Sequence, residues 1–355
     1  MRNTGTRGYS GYRGRRPNGR RWLILALVLI ILATAAFLIA QRWMVYDMDG
    51  SYHFELPWLQ RASGDGAART GLRARQDLEI VIEEPTPAEI AVRELHAREF
   101  DPSVLQGGMS RALEALSEPV NAVAIRLKTA DGDLLYPSAL PAAVEAKAIA
   151  GSSIARSSVE ELTQSDYYTI ARLSALHDSR FSFAHMTDAA IQQKAYKNYI
   201  WYAPDSSFYL APEKELTREY LAAIAGEVAA LGFDELLFDD FGYPTAGRLN
   251  NIQTADRDMT QEAALALLAD NLRETLRDYE GVKLSLVMDE KTVLAGGDEK
   301  SGQRLADLAE RFDRIYVPTT EEQLPALREA LEPYTAELIP ILESAPAEGA
   351  YLISQ

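Results

Sequence analysis

From about Glu94 onward, short apolar runs alternate with stretches of helical periodicity, and this alternation constrains the fold more than any other feature of the chain. The apolar runs fall at 95–100, 122–127, 168–174, 235–238, 283–288, 314–317, 337–342 and 350–353. Helical stretches between them fall at 108–116, 216–231, 261–279, 301–312 and 321–331. In the second of these Leu216, Tyr220, Ala223, Ile224 and Leu231 share one face, and Gly232 supplies a helix stop. Strands that alternate with helices build a parallel sheet with right-handed crossovers. Eight runs in residues 94–355 match a closed (β/α)8 TIM-like barrel in count and length. An open doubly wound sheet is the alternative. The long connection between the second and third runs, with Pro141 and a Ser/Ala-rich part near Gly151, reads as a loop inserted over one face.

A second feature lies upstream. Residues 1–21 hold seven arginines and no acid, and residues 22–41, WLILALVLIILATAAFLIAQ, hold no charge. At about 1.5 Å per residue those twenty reach roughly 30 Å, the thickness of a bilayer's hydrocarbon core. Trp22 and Trp43 flank the run, where indoles favour the interface, and the arginines keep the N-terminus cytoplasmic. The expectation is a single-pass signal-anchor helix with everything after Arg42 outside the cell membrane. A cleaved signal peptide is the alternative, since Ala33-Thr34-Ala35 offers small-x-small spacing. The run nevertheless continues through Phe37, Leu38 and Ile39, longer than a signal core. Two β-like runs around Asp49-Gly50 predict a short hairpin, and an Arg/Gly/Ala/Ser-rich stretch after it reads as linker. The organisation is thus a tail (1–21), an anchor (22–41), a hairpin and linker (42–93) and a barrel (94–355).

Composition removes several functions. With 36 basic and 52 acidic residues, a formal charge of −16, the chain is unsuited to nucleic acid. Absence of cysteine excludes disulfides, thiolate zinc sites, iron–sulfur clusters and cysteine nucleophiles. There is no Gly-rich phosphate loop, no HExxH and no GxSxG, so no nucleotide and no cofactor is expected. Four histidines without a spaced pair predict no metal centre, although Asp239, Asp240, Asp289 and Glu290 have the oxygen chemistry a hard cation favours.

A barrel's working face is the carboxyl end of its strands. The polar residues there are Arg126, Lys128 and Asp131 at strand two, and His177 and Asp178 after strand three. Strand four leads to Asp239, Asp240 and Tyr243, strand five to Asp289 and Glu290, and strand seven to Glu343. Carboxylates on several strand ends suit glycosidic cleavage, which needs one acid for the leaving oxygen and one base or nucleophile opposite. Asp239, closing the apolar LLF and opening the turn DDFGYP, is the expected principal acid, with Glu343 or Asp289 as its partner. Lys128, Arg126, His177, Asp240 and Tyr243 are the expected substrate contacts. Tyr167, Tyr168, Tyr196, Tyr199, Trp201, Tyr202, Phe208 and Tyr209 form an aromatic-dense region, part core and part candidate sugar platform.

These residues carry a resemblance. LGFDELLFDDFGYP at 231–244 resembles the fourth-strand motif GFDE, two apolar residues, FDY-x-RFP, of a family of glycoside-hydrolase barrel domains often carried on bacterial membrane anchors. NAVAIRLK at 121–128 with Asp131-Gly132 is similar to the family's NAVVID-x-K…DG. Ile170-Ala-Arg172 with His177-Asp178 resembles its IAR…KD, and Leu210-Ala-Pro212 with Glu219-Tyr220 its L-x-P…EY. The likeness spans roughly 95–345. It implies a (β/α)8 barrel, a carbohydrate substrate, and site positions at Asp234, Glu235, Asp239 and Lys128. Three positions depart: Arg126 stands where the family has Asp, Gly242 where it has Arg, and His177 where it has Lys. The expected protein is an extracytoplasmic, membrane-anchored hydrolase of a cell-envelope or environmental polysaccharide. A non-catalytic envelope protein that binds glycan or protein is its rival.

Overall fold

The computed structural model describes residues 44–46, 52–54, 94–107, 120–151, 154–196, 198–253 and 259–354. The expected anchor at 22–41 and the helix at 108–116 lie outside them. Among the described residues no helix is long and apolar enough to cross a membrane. Met44–Tyr46 and Tyr52–Phe54 pair antiparallel with Val45 opposite His53, which is the hairpin expected around Asp49-Gly50.

The rest is a closed barrel of eight parallel strands. In chain order these are β1 (His96–Phe100), β2 (Ala122–Lys128), β3 (Tyr168–Ser174), β4 (Glu235–Asp239), β5 (Lys283–Val287), β6 (Arg314–Pro318), β7 (Glu337–Leu342) and β8 (Tyr351–Ile353). Each strand hydrogen-bonds to its sequence neighbour, and β8 closes on β1 through Leu352 opposite Ala97. The open-sheet alternative is thereby excluded, and all eight apolar runs are barrel strands. The intervening helices are α1 (Pro141–Glu145), α2 (Arg156–Thr163), α3 (Ser179–Ala184), α4 (Glu215–Ala230), α5 (Gln261–Leu276), α6 (Glu290–Ala295), α7 (Leu305–Ala309) and α8 (Leu324–Leu331).

Side chains alternate across each strand, so the barrel has two hydrophobic regions. Leu95, Ala97, Ala122, Ala124, Ile170, Leu237, Tyr316, Ile339 and Leu352 fill its interior. The opposite strand faces meet the helices in a larger layer that includes Val123, Ile125, Leu173, Leu236, Leu286, Ile315, Leu221, Leu265 and Leu268. Strands buried on both faces read as continuous apolar runs, which explains their visibility in the sequence. The helices match less closely. Over 301–312 only α7 is helical, because Gly297-Asp298 pairs with Gln303-Arg304 in a small antiparallel ladder that takes up the first turn. Over 321–331 the first residues form a 3-10 turn before α8.

The GFDE segment is a joint between α4 and β4. Gly232 turns the chain at φ +93 after the helix, and Phe233 is buried. The Asp234 carboxylate accepts hydrogen bonds from Thr169 N at 2.7 Å and Thr169 Oγ1 at 2.8 Å, fixing β3 against β4. Glu235 enters the amino-terminal end of the barrel and pairs with Arg314 at 2.6 Å. Conspicuous as a motif, this segment holds the scaffold: the amino-terminal end of such barrels serves stability.

Candidate active site at the carboxyl end of the barrel

On the four adjacent strands β1 to β4, the inward-facing series ends in a charged residue: Leu95-Ala97-Glu99, Ala122-Ala124-Arg126, Tyr168-Ile170-Arg172 and Glu235-Leu237-Asp239. The four terminal side chains form one network. Asp239 Oδ2 accepts from Arg126 Nη1 at 2.9 Å and from Arg172 Nε at 2.8 Å. Arg172 Nη1 donates to Glu99 Oε2 at 2.7 Å, and Arg126 Nη2 lies 3.8 Å from Glu99 Oε1. Ser354, just beyond β8, donates its hydroxyl to Glu99 Oε2 at 2.8 Å. Charge-assisted bonds of this geometry are short and directional. Burial works against the charge on Arg172, but Asp239 and Glu99 outweigh it and hold the guanidinium above its ordinary value.

Above the network is a cavity of about 330 Å³, lined by Glu99, Arg126, Arg172, Ser354 and the turn Phe100-Asp101-Pro102. Asp239 is bonded to two of these lining residues, Arg126 and Arg172, at 7% exposure, with Oδ1 buried and without a hydrogen-bond partner among the described residues. A buried carboxylate oxygen without a donor is costly, and Glu235 Oε1 at the other end of the barrel is in the same state. The guanidinium of Arg172 bridges the two acids. Its two bonds, 2.8 and 2.7 Å, set the carboxylates on either side of one guanidinium group.

Several expected site residues are placed elsewhere. Glu343 and Asp289 are both exposed. Asp289 opens α6 and lines a different cavity of about 880 Å³ with Glu290, Asp298 and Lys300. The carboxylate that Arg172 ties to Asp239 is Glu99, which lies on the inward face within its run and not after it. Strand alternation was the available signal.

Lys128 is fully buried and pairs with Asp178 at 2.8 Å, so it supports the site without lining the mouth. Its displacement has a local cause. Arg126 is level with Arg172, but Lys128 is level with Leu173, because β2 carries one extra residue there. Such a bulge turns the following side chain to the other face of the sheet. Asp178 also caps α3 by accepting from Phe181 N at 2.8 Å. It lies so close to the preceding turn that a Cβ on Gly132 (φ +91) would meet Asp178 Oδ1 at 2.0 Å, which accounts for the Asp131-Gly132 pair. Tyr243 is 4% exposed and donates to Glu213 Oε2 at 2.6 Å, a core contact instead of the expected substrate contact. Burial and then Glu213 push its phenol up.

His177 and Asp240 flank the mouth. The imidazole stacks on Tyr209 with centroids 4.4 Å apart. Asp240 is exposed, sits at φ +51, and accepts from Ser174 Oγ at 2.6 Å. Left-handed backbone at a non-glycine residue is uncommon, and Asp tolerates it better than most. Among the described residues no group of His, Cys, Asp and Glu is placed to hold a metal ion.

A closed (β/α)8 barrel with two carboxylates bridged at the carboxyl end of its strands has the form of a glycoside-hydrolase-type domain. The family described as "Putative glycosyl hydrolase domain" matches residues 107–318, and the chain belongs to that family. No curated protein matches the chain. Among solved structures it is similar to a hypothetical protein from Ruminiclostridium thermocellum ATCC 27405, at 21% identity and TM-score 0.46, over 53% of this chain and 95% of that one. It is also similar to a GH20 exo-β-N-acetylglucosaminidase from Vibrio harveyi, at 10% identity and TM-score 0.47, over 70% of this chain and 41% of that enzyme. A family GH13_31 enzyme gives 11% identity and TM-score 0.48, over 74% of this chain and 66% of that one. Likenesses of this size say nothing about substrate.

Proposed function

We propose that this chain is a membrane-anchored, extracytoplasmic glycoside hydrolase acting on a cell-envelope or environmental polysaccharide, with Asp239 and Glu99 as its acid pair. The observation that carries the reading is Asp239 itself. It ends β4 at the carboxyl end of the barrel, and its Oδ2 is held by two guanidinium groups, Arg126 and Arg172, that line an open cavity together with Glu99. In this reading Oδ1 is the nucleophile or base, and Glu99, which lines the cavity, delivers the proton to the leaving oxygen. Arg126 and Arg172 fix both carboxylates, and Arg126 is the more exposed of the two. The uncharged run at 22–41 behind an arginine-rich tail supports the anchoring.

A second reading, glycan binding without cleavage, draws on the same network. Arg126 replaces the family's Asp and ties down the carboxylate that would react. Reducing-end release from peptidoglycan, chitin-type, α-glucan and β-glucan substrates separates the two. Under the hydrolase reading, release disappears in Asp239→Asn and in Glu99→Gln while the fold persists. Binding without release in the wild type would establish the second reading.

A further inference from the structure

Two loops on the carboxyl side of the barrel lock together beyond the mouth. The loop after β3 and the loop after β4 pair antiparallel, Gln192 with Gln253 and Gln193 with Ile252. Asn251 reinforces the junction: its side chain accepts from Ala195 N at 3.1 Å and donates to Gln193 Oε1 at 3.1 Å. On this platform Tyr196, Tyr199 and Tyr202 stand 63%, 64% and 55% exposed within one short stretch. Large rings clustered on a surface favour association, and such clusters mark binding sites.

Beside Tyr202 the loops enclose a cavity of about 270 Å³, walled by Trp201, Pro204, Gly247, Arg248 and Asn251. Its shape is built in. Trp201 is buried and its indole donates to Arg248 O at 3.1 Å. A Cβ on Gly247 (φ +93) would meet Pro204 Cδ at 3.1 Å and Trp201 Cζ2 at 3.4 Å. The cavity is also tied to the mouth. Trp201 packs edge-on against Tyr209, Tyr209 stacks on His177, and the His177 carbonyl oxygen lies 3.0 Å from Ser174 Oγ at the end of β3.

We propose that this cavity is a second carbohydrate-binding site, holding one ring of a neutral glycan chain whose other rings run across Tyr199 and Tyr196. The chemistry of the walls selects that occupant. Aromatic faces take the C–H face of a pyranose, and a guanidinium with neighbouring amides meets its hydroxyls. The volume is at the small end for ligand sites, sized for one ring instead of a folded peptide segment. The loops that wall the cavity follow β3 and β4, on the same side of the barrel as the acid pair. The substrate link rests on the hydrolase reading, whereas the binding site does not.

The test is affinity electrophoresis of the full-length chain in gels carrying glycol chitin, laminarin, xylan or amylose. It compares wild type, Tyr202→Ala, Tyr202→Phe and Asp239→Asn. At least one polymer retards the wild type; Tyr202→Ala weakens that binding about tenfold; Tyr202→Phe, which keeps the ring, stays within about twofold. Asp239→Asn binds as the wild type does, so loss of release with retained binding separates the catalytic reading from this one. Equal retardation of Tyr202→Ala and wild type, or no retardation by any of the four polymers, overturns the site. Release by the wild type that survives such a result leaves the hydrolase reading standing alone.

Discussion

The barrel contains two ion clusters assembled from the same residue types, one at each end, and their surroundings set them apart. At the amino-terminal end Arg314 pairs with Glu235 at 2.6 Å and Glu337 at 2.8 Å, with Tyr168 and Tyr316 packed around it. Arg314 is 3% and Glu235 0% exposed, whereas Glu337 is 47% exposed at its side chain. At the carboxyl end Arg126 and Arg172 hold Glu99 and Asp239 under a cavity of about 330 Å³. Buried ion pairs contribute little net stability, but breaking one by removing a single partner is expensive. Loss of a partner is therefore expected to show in stability at the lower cluster, and in turnover at the upper one under the proposed reading. Acidic motifs alone do not distinguish the two: the prominent GFDE belongs to the lower end, and only its continuation into Asp239 reaches the upper.

The largest effect that would sharpen this contrast is catalytic. Asp239→Asn is expected to lower reducing-end release about a thousandfold while the thermal midpoint moves by only a few degrees. Glu235→Gln should do the reverse, leaving the activity of the folded fraction unchanged and lowering the midpoint. If Asp239→Asn unfolds the chain as readily as Glu235→Gln does, the two clusters are not different in kind.

Next in size is the stability of the lower end. Arg314→Ala leaves Glu235 buried and unpaired, and is expected to cost about 3–5 kcal/mol in urea unfolding. Lys128→Ala, which strands Asp178 in the same way, falls in the same range. Arg126 is 28% exposed at its side chain, and its loss leaves Asp239 still bound by Arg172. Arg126→Ala is therefore expected to cost no more than about 1 kcal/mol yet to change turnover several-fold. Equal costs for Arg314→Ala and Arg126→Ala would remove the distinction.

How much of this was readable before the structure depends on which face of a strand is asked about. The eight strands were legible because parallel strands buried on both sides are nearly unbroken apolar runs. Asp239 was legible because it breaks such a run. Glu99 was not, since it lies inside HAREF, a run whose charges mask its inward series Leu95-Ala97-Glu99. Lys128 departs from its expected place for a different reason: a one-residue bulge reverses facing, and nothing in AVAIRLK announces it. The short ladder that displaces the start of α7 depends on a pairing between Gly297-Asp298 and Gln303-Arg304, which periodicity does not report.

The smallest expected effect concerns alkaline pH and joins both ends of the barrel. Burial, then Glu235, pushes the Tyr168 phenol up at the lower end. At the upper end burial, then Asp240 and Asp205, pushes Tyr209 up to about 12. A phenol raised in the folded state keeps its proton where the unfolded chain, titrating near 10, has lost it. Stability from these groups is therefore complete below about pH 10 and is lost as pH rises above it, by up to about 1.4 kcal/mol per pH unit for each group. Urea midpoints at pH 9, 10 and 11 should fall in that order. Asp240→Asn removes one of the charges acting on Tyr209 while keeping a residue that tolerates the left-handed backbone, so its midpoints should fall less steeply. A mutant slope equal to that of the wild type would mean that the carboxylate beside Ser174 has no electrostatic hold on the aromatic column linking the mouth to the outer cavity.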